Sequence, residues 1–172
     1  MDESSPCVLC GHPAVTSRSG KMFERDLTSF NCPVCGDFIV SKDARLGLQN
    51  ESADHRSHVS AFTRGLYLRG RRAVLLNKLG RDSKPLAEDD VLAEVGQIVS
   101  TYPLSVADRM DRTLLNLAQL TKRPGEKLQI DTKTDYPIGQ AEEPEVLTFL
   151  LEQLKAKDFI ELSHNTSFPS KK

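Results

Sequence analysis

The chain has 172 residues, of which 38% are hydrophobic and 27% charged, and its formal net charge is -1. These values are ordinary for a soluble protein and exclude a disordered chain or one that attracts nucleic acid through its overall charge. No apolar run approaches the roughly 20 residues that cross a bilayer, and the first residues are acidic and polar, unlike those of a secretory signal. We therefore expect a cytoplasmic protein with no membrane contact.

Four cysteines form two Cys-x-x-Cys pairs, and each pair is followed by a glycine, Gly11 or Gly36. In a reducing compartment such close pairs favour metal binding over disulfides. A glycine after each pair lets the chain turn back, so that backbone N–H groups can approach the sulfurs. The pattern predicts a closed, tetrahedral four-thiolate site for one structural Zn²⁺. Its predicted ligands are Cys7, Cys10, Cys32 and Cys35.

Other uses of these cysteines remain open from the sequence. A four-sulfur site can also hold iron, and His12 could replace Cys10 as a ligand. One pair could be a thioredoxin-like redox site, but such a site lies where a strand meets a helix, and Cys32-x-x-Cys35 leads into a predicted strand. Catalytic zinc is disfavoured because four thiolates leave no position for water.

The fold class indicated by the sequence is α+β and mostly α. Residues 1–53 contain many Gly, Pro and Ser residues and short alternating segments, which predict a zinc ribbon of small β-hairpins folded around its metal. Residues 54–162 have helical periodicity and predict a helical recognition domain. Residues 163–172 are expected to form a flexible tail.

Within residues 54–162 we predict four helices. The first begins at Asp54 and ends near Gly70, and the second lies between Pro85 and Pro103. The third has Ser105 as its N-cap, and the fourth has Pro144 in its first turn. A helix over 105–121, a helix over 143–157 and a short strand over 158–162 follow one another in the order of a partial winged-helix unit.

A basic segment, residues 54–84, has eight Lys or Arg residues against two Asp. Guanidinium groups bind phosphates, and a neighbouring aromatic ring can stack on a base, so this segment is the predicted contact surface for nucleic acid or a nucleotide. The alternative is an ordinary solvated face of an amphipathic helix. The predicted contact residues are Arg56, Arg64, Tyr67, Arg69, Arg71 and Arg72.

The cysteine pairs, "SVADRMDRTLLNLAQL", "DYPIGQA" and "FLLEQLKAKDFIEL" together resemble the N-terminal region of a group of uncharacterised bacterial multidomain proteins. In that group a zinc ribbon and helices precede a TIR-like or nucleotide-processing effector domain. The resemblance implies a sensing or partner-recognition module, in bacterial defence or regulation.

No catalytic motif of the common enzyme classes occurs in the chain. The sequence therefore predicts a non-catalytic, zinc-binding recognition or sensor module. Two alternatives stay open: a protein–protein adaptor or dimerisation module, and the regulatory fragment of a longer effector enzyme.

Overall fold

The computed structural model describes residues 3–22, 25–80, 84–123 and 125–163. In these residues the chain forms a mixed sheet with helices, which confirms the α+β class. The strands are β1 (Glu3–Pro6), β2 (Pro13–Met22), β3 (Arg25–Cys32), β4 (Gly36–Ser41), β5 (Arg72–Leu76) and β6 (Asp90–Glu94). The helices are α1 (Lys42–Asn50), α2 (Ala53–Leu68), α3 (Val95–Val99), α4 (Val106–Leu120), α5 (Thr132–Asp135) and α6 (Pro144–Ala156), with a 3₁₀ turn at Tyr136–Gly139.

The sheet has two halves that differ in strand direction. Strands β1 to β4 form an antiparallel meander, whereas β5 and β6 add in parallel, and the strand order follows the chain order. A parallel neighbour needs a long crossover, and α1 with α2 supplies it between β4 and β5. Strand β4 is therefore shared by both halves and lies at the centre of the sheet.

The core lies on both faces of β4 and β5. On one face Phe38, Val40 and Leu75 pack in a cluster with Leu48 of α1 and Val59 of α2. On the other face Leu27, Ile39, Val74 and Leu76 form a smaller cluster. Because both faces are covered, these strands appear in the sequence as nearly continuous apolar runs rather than alternating ones.

Two predicted helices, α4 and α6, are confirmed, and each begins with the residues that predicted its start. The Ser105 hydroxyl accepts from Asp108 N, and the Asp108 carboxylate accepts from Ser105 N, so α4 begins with a capping box. Helix α6 begins at Pro144 and buries the predicted leucines. Those leucines are Leu147, Leu150, Leu151 and Leu154.

Other element predictions are wrong. The single helix expected between Pro85 and Pro103 is strand β6 followed by the short helix α3, because residues 90–94 pair with β5 along its whole length. The predicted strand over 158–162 is absent. No strand follows α6 in the described residues, so the winged-helix likeness is unconfirmed.

The predicted boundary after residue 53 does not separate a β unit from a helical one. Helix α1 lies before it, and strands β5 and β6 lie after it in the same sheet as β1 to β4. The predicted tail lies outside the described residues, apart from Ser163. Within the ranges given above, no helix combines the length and apolar character required to cross a bilayer.

Candidate metal centre

Two adjacent β-hairpins bring the four cysteines together. Cys7 and Cys10 lie in the turn between β1 and β2, while Cys32 ends β3 and Cys35 precedes β4. The four Sγ atoms all lie within 4.8 Å of one another. The Sγ atoms of Cys7 and Cys35 are 3.7 Å apart, and those of Cys10 and Cys32 are 3.5 Å apart. The structure thus forms the predicted four-sulfur cluster from both pairs.

The spacing of these sulfurs suits a tetrahedral metal ion. Zinc binds thiolates at about 2.3 Å, so the sulfurs of a regular tetrahedral site lie about 3.8 Å apart. The distances above are close to that value. All four cysteines are free of disulfides, and only Cys10 is not fully buried. A set of four sulfurs at this spacing can enclose a metal ion with no open coordination position.

Hydrogen-bond donors surround the sulfurs. The Cys35 backbone N–H donates to the Cys32 sulfur at 3.4 Å. From α2, the buried Ser60 hydroxyl lies 3.1 Å from the Cys35 sulfur. Gly11 and Gly36 have φ angles of +75° and +82°, as the predicted turn-back requires. Such partners orient thiolate ligands and offset part of their negative charge.

The thiols interact strongly with one another. Hydrogen bonding by Cys10 lowers the pKa of the Cys7 and Cys32 thiols. The pKa of the Cys10 thiol is raised by its hydrogen bond to Cys32, and that of Cys35 by its hydrogen bond to Cys10. A divalent cation would replace the shared protons and stabilise all four groups as thiolates.

Arg64 lies behind the second pair and not on an exposed helix face. Its Nε and Nη2 atoms donate to Asp135 Oδ1 at 2.9 and 2.5 Å, and its Nη1 donates to the Pro33 carbonyl at 3.1 Å. Arg64 and Asp135 are both buried. Both interpretations of the basic segment, a contact surface and a solvated helix face, place Arg64 at an exposed position. That placement is wrong, because the side chain is buried and connects α2 to the cysteine turn and to α5.

The remaining predicted contact residues differ in their surroundings. Arg72 lies in β5, where its Nε donates to Asp90 Oδ1 at 2.8 Å, and Arg56 donates to the Glu51 carbonyl at 2.7 Å. Arg69 donates to the Gln119 amide oxygen at 2.6 Å. Tyr67 and Arg71 are exposed. Helix α2 ends at Leu68, near the predicted Gly70, so Arg71 and Arg72 lie beyond it.

The sequence did not reveal two residues that contact or border this centre. Ser60 stands between apolar residues in a helix, and no local pattern distinguishes its position from any other buried serine. Tyr136 is buried in the 3₁₀ turn, and burial, together with the negative charge of the cysteines, raises the pKa of its phenol. Both residues reach the site through tertiary contacts.

A scan against protein-family models, a search of curated proteins and a search of solved structures found no match to this chain. The resemblance to bacterial multidomain proteins therefore stays a prediction. The function has to be argued from the site itself.

Proposed function

We propose that this chain is a non-catalytic recognition module whose N-terminal hairpins are held by one structural Zn²⁺ bound to Cys7, Cys10, Cys32 and Cys35. The observation that carries the proposal is the cluster of four sulfurs within 4.8 Å of one another. Soft thiolates in a tetrahedral arrangement favour zinc over hard cations. Bound zinc would supply a cross-link between the two hairpins.

The donor set also supports a structural rather than a catalytic role. A catalytic zinc keeps one position for water or substrate, and four thiolates occupy every position of a tetrahedral site. The Ser60 hydroxyl lies 3.1 Å from the Cys35 sulfur and does not add a base. The centre therefore fits a role in holding the fold.

Several contacts extend from the cysteines into the rest of the molecule. Ser60 joins the Cys35 sulfur to α2, and Arg64 joins the adjacent Pro33 carbonyl to Asp135 of α5. Residues beyond the hairpins are thereby connected to the metal centre through α2. A scaffold connected in this way is suited to presenting a binding surface, and we place the recognition role on the surface beyond the hairpins.

The presence and identity of the metal are tested by measuring the metal content of protein purified without added metal. We expect about one zinc per chain, and we expect Cys32→Ser protein to contain none. A stable wild-type protein without metal would overturn the proposal, and iron in place of zinc would overturn the identity of the ion.

The Ser60→Ala variant tests the contact between the Ser60 hydroxyl and the Cys35 sulfur, because it keeps all four cysteines. Loss of a hydrogen bond to a ligand typically weakens metal affinity about 10- to 100-fold. We expect Ser60→Ala protein to lose zinc to a competing chelator at correspondingly lower concentration. Ser100→Ala, which removes an exposed hydroxyl bonded to the Gln97 carbonyl, is the control and should match wild type.

A further inference from the structure

A groove is present whose lining includes no residue of the hairpins. Its volume is about 470 Å³, and it is lined by α2, β6, α3, α4 and the 3₁₀ turn. Four consecutive residues of β6, Val91 to Glu94, contribute to its wall. Strand β6 ends the sheet order and pairs with β5 alone among the described strands. A cavity of this size suits a small organic molecule.

Two arginines give the groove its charge. Arg69 and Arg112 both line it, both are exposed, and neither forms an ion pair with a carboxylate in the described residues. The lining includes one carboxylate, that of Glu94, which accepts a hydrogen bond from Leu79 N at 3.2 Å. Two guanidinium groups without carboxylate partners favour an anionic ligand, because guanidinium donors match the oxygens of a phosphate.

The wall formed by α4 adds hydrogen-bonding capacity of both kinds. Asn116 donates through Nδ2 to the Ile138 carbonyl at 2.7 Å, and the Gln119 amide oxygen accepts from Arg69. Each amide therefore keeps one half without a protein partner in the described ranges: an acceptor oxygen on Asn116 and a donor nitrogen on Gln119. These residues lie three positions apart on a helix and so share one face. An acceptor and a donor on the same helix face can each pair with a polar group on the edge of a heterocyclic base.

Apolar residues also line the groove. Phe62, Leu120 and Ile138 are among them, and Phe62 offers an aromatic ring for a flat partner. His58 lies buried at the groove, where its ring nitrogens contact the Gln140 amide oxygen and the Thr101 hydroxyl. A ligand that matches this lining has a flat ring with polar edges and one anionic group.

We propose that the groove binds a small heterocyclic phosphate ester of the kind represented by a nucleoside monophosphate, with its phosphate at Arg69 and Arg112 and its base against Phe62, Asn116 and Gln119. This inference rests on the recognition role proposed above and names its ligand class. It does not depend on the identity of the metal.

The test is isothermal titration calorimetry of the full zinc-loaded chain with AMP, GMP, CMP and UMP. Nucleosides, inorganic phosphate and a single-stranded oligonucleotide serve as comparison ligands. We expect at least one monophosphate to bind at least tenfold more tightly than its nucleoside or inorganic phosphate, because both halves of the groove contribute. No binding of any monophosphate, equal binding of inorganic phosphate, or binding of the oligonucleotide alone would overturn the proposal.

Substitutions of single arginines test whether the phosphate binds in the groove. Arg69→Gln and Arg112→Gln should each weaken monophosphate binding about tenfold or more, because each loses hydrogen bonds from a charged donor. Arg123→Gln and Lys127→Gln remove exposed cations outside the groove, and these variants should bind within about twofold of wild type. Equal effects in both sets would overturn the assignment of the groove.

Zinc content is measured in every preparation, so that the two proposals can fail separately. Binding by a protein that folds without zinc would contradict the structural metal alone. Absence of binding by a folded protein with one zinc per chain would contradict the groove alone.

Discussion

Gly36 shows how closely the second cysteine turn is packed against α2. Its φ angle is +82°, and a Cβ at this position would lie 2.5 Å from Cβ and Cγ of Tyr67. Gly11 occupies the equivalent position in the first turn with φ of +75°, but a Cβ there would meet no atom within 4 Å. The two glycines have the same backbone requirement and differ in their surroundings.

This difference predicts unequal effects of alanine at the two sites. Gly11→Ala should lower the free energy of unfolding by about 1–2 kcal/mol, the cost of a left-handed backbone in a residue with a Cβ. Gly36→Ala should lower the free energy of unfolding by about 1–3 kcal/mol more than Gly11→Ala does, because Tyr67 also has to move. Urea unfolding of the zinc-loaded variants measures both values, and equal losses would show that Tyr67 does not pack on this turn.

For single residues, the sequence predicted that the four cysteines come together and that the chain turns back at both glycines, because the spacing of these residues alone indicates it. It misplaced Arg64 because an arginine on a helix looks the same whether it faces water or a buried carboxylate. Asp135 is 71 positions away in the chain, and only the fold brings it to Arg64.

The contact between α2 and α5 depends on this buried ion pair. The Arg64 and Asp135 side chains are 9% and 7% exposed, and Asp135 also accepts from Asp131 N through its second oxygen. Removal of one partner leaves a buried charge without a counter-charge, whereas removal of both partners leaves no buried charge. The pair therefore couples two helices and the cysteine turn.

We predict that Asp135→Asn lowers the free energy of unfolding by about 3–5 kcal/mol, because the Arg64 guanidinium stays buried without a counter-charge. Chemical denaturation is the measurement, and the exposed Asp111→Asn change is the control, with an expected effect within about 0.5 kcal/mol. Combining Asp135→Asn with Arg64→Met should cost less than the sum of the single changes. Additive effects would show that the pair is not energetically coupled.

Among the elements, the sequence predicted α4 and α6 well because their caps and apolar faces are local signals. It missed β6 because residues 90–94 carry no strict alternation, and their strand conformation comes from pairing with β5. It also missed α1, whose N-cap Ser41 is the last residue of a buried strand.

For the molecule as a whole, the apolar core supports the centre of the sheet more than its edge at β1. Phe38 and Val40 of β4 are fully buried in a core that includes residues of α1, α2 and β5. Strand β1 consists largely of exposed residues and pairs with β2 alone in the described sheet. We therefore expect the part that depends most on a bound metal to be smaller than the predicted ribbon of residues 1–53.

We predict that removal of the metal by a chelator increases hydrogen exchange of residues 3–17 far more than that of residues 36–50. The first segment loses the cross-link that holds its turn, while the second keeps its apolar core. Hydrogen exchange with mass spectrometry compares the two segments in one sample, with β5 as the internal reference. Equal loss of protection in both segments would restore the boundary at residue 53.

The sequence by itself determined the two cysteine pairs, the glycine turns that follow them and the helices that carry their own caps, because those features depend on residues close together in the chain. The tertiary structure decided that β4, β5 and β6 form a parallel extension of the ribbon, and that Arg64 is buried. It also brought α2, β6 and α4 together around a groove. These features depend on contacts between distant segments, and burial and strand pairing select among conformations that the local pattern leaves equally acceptable.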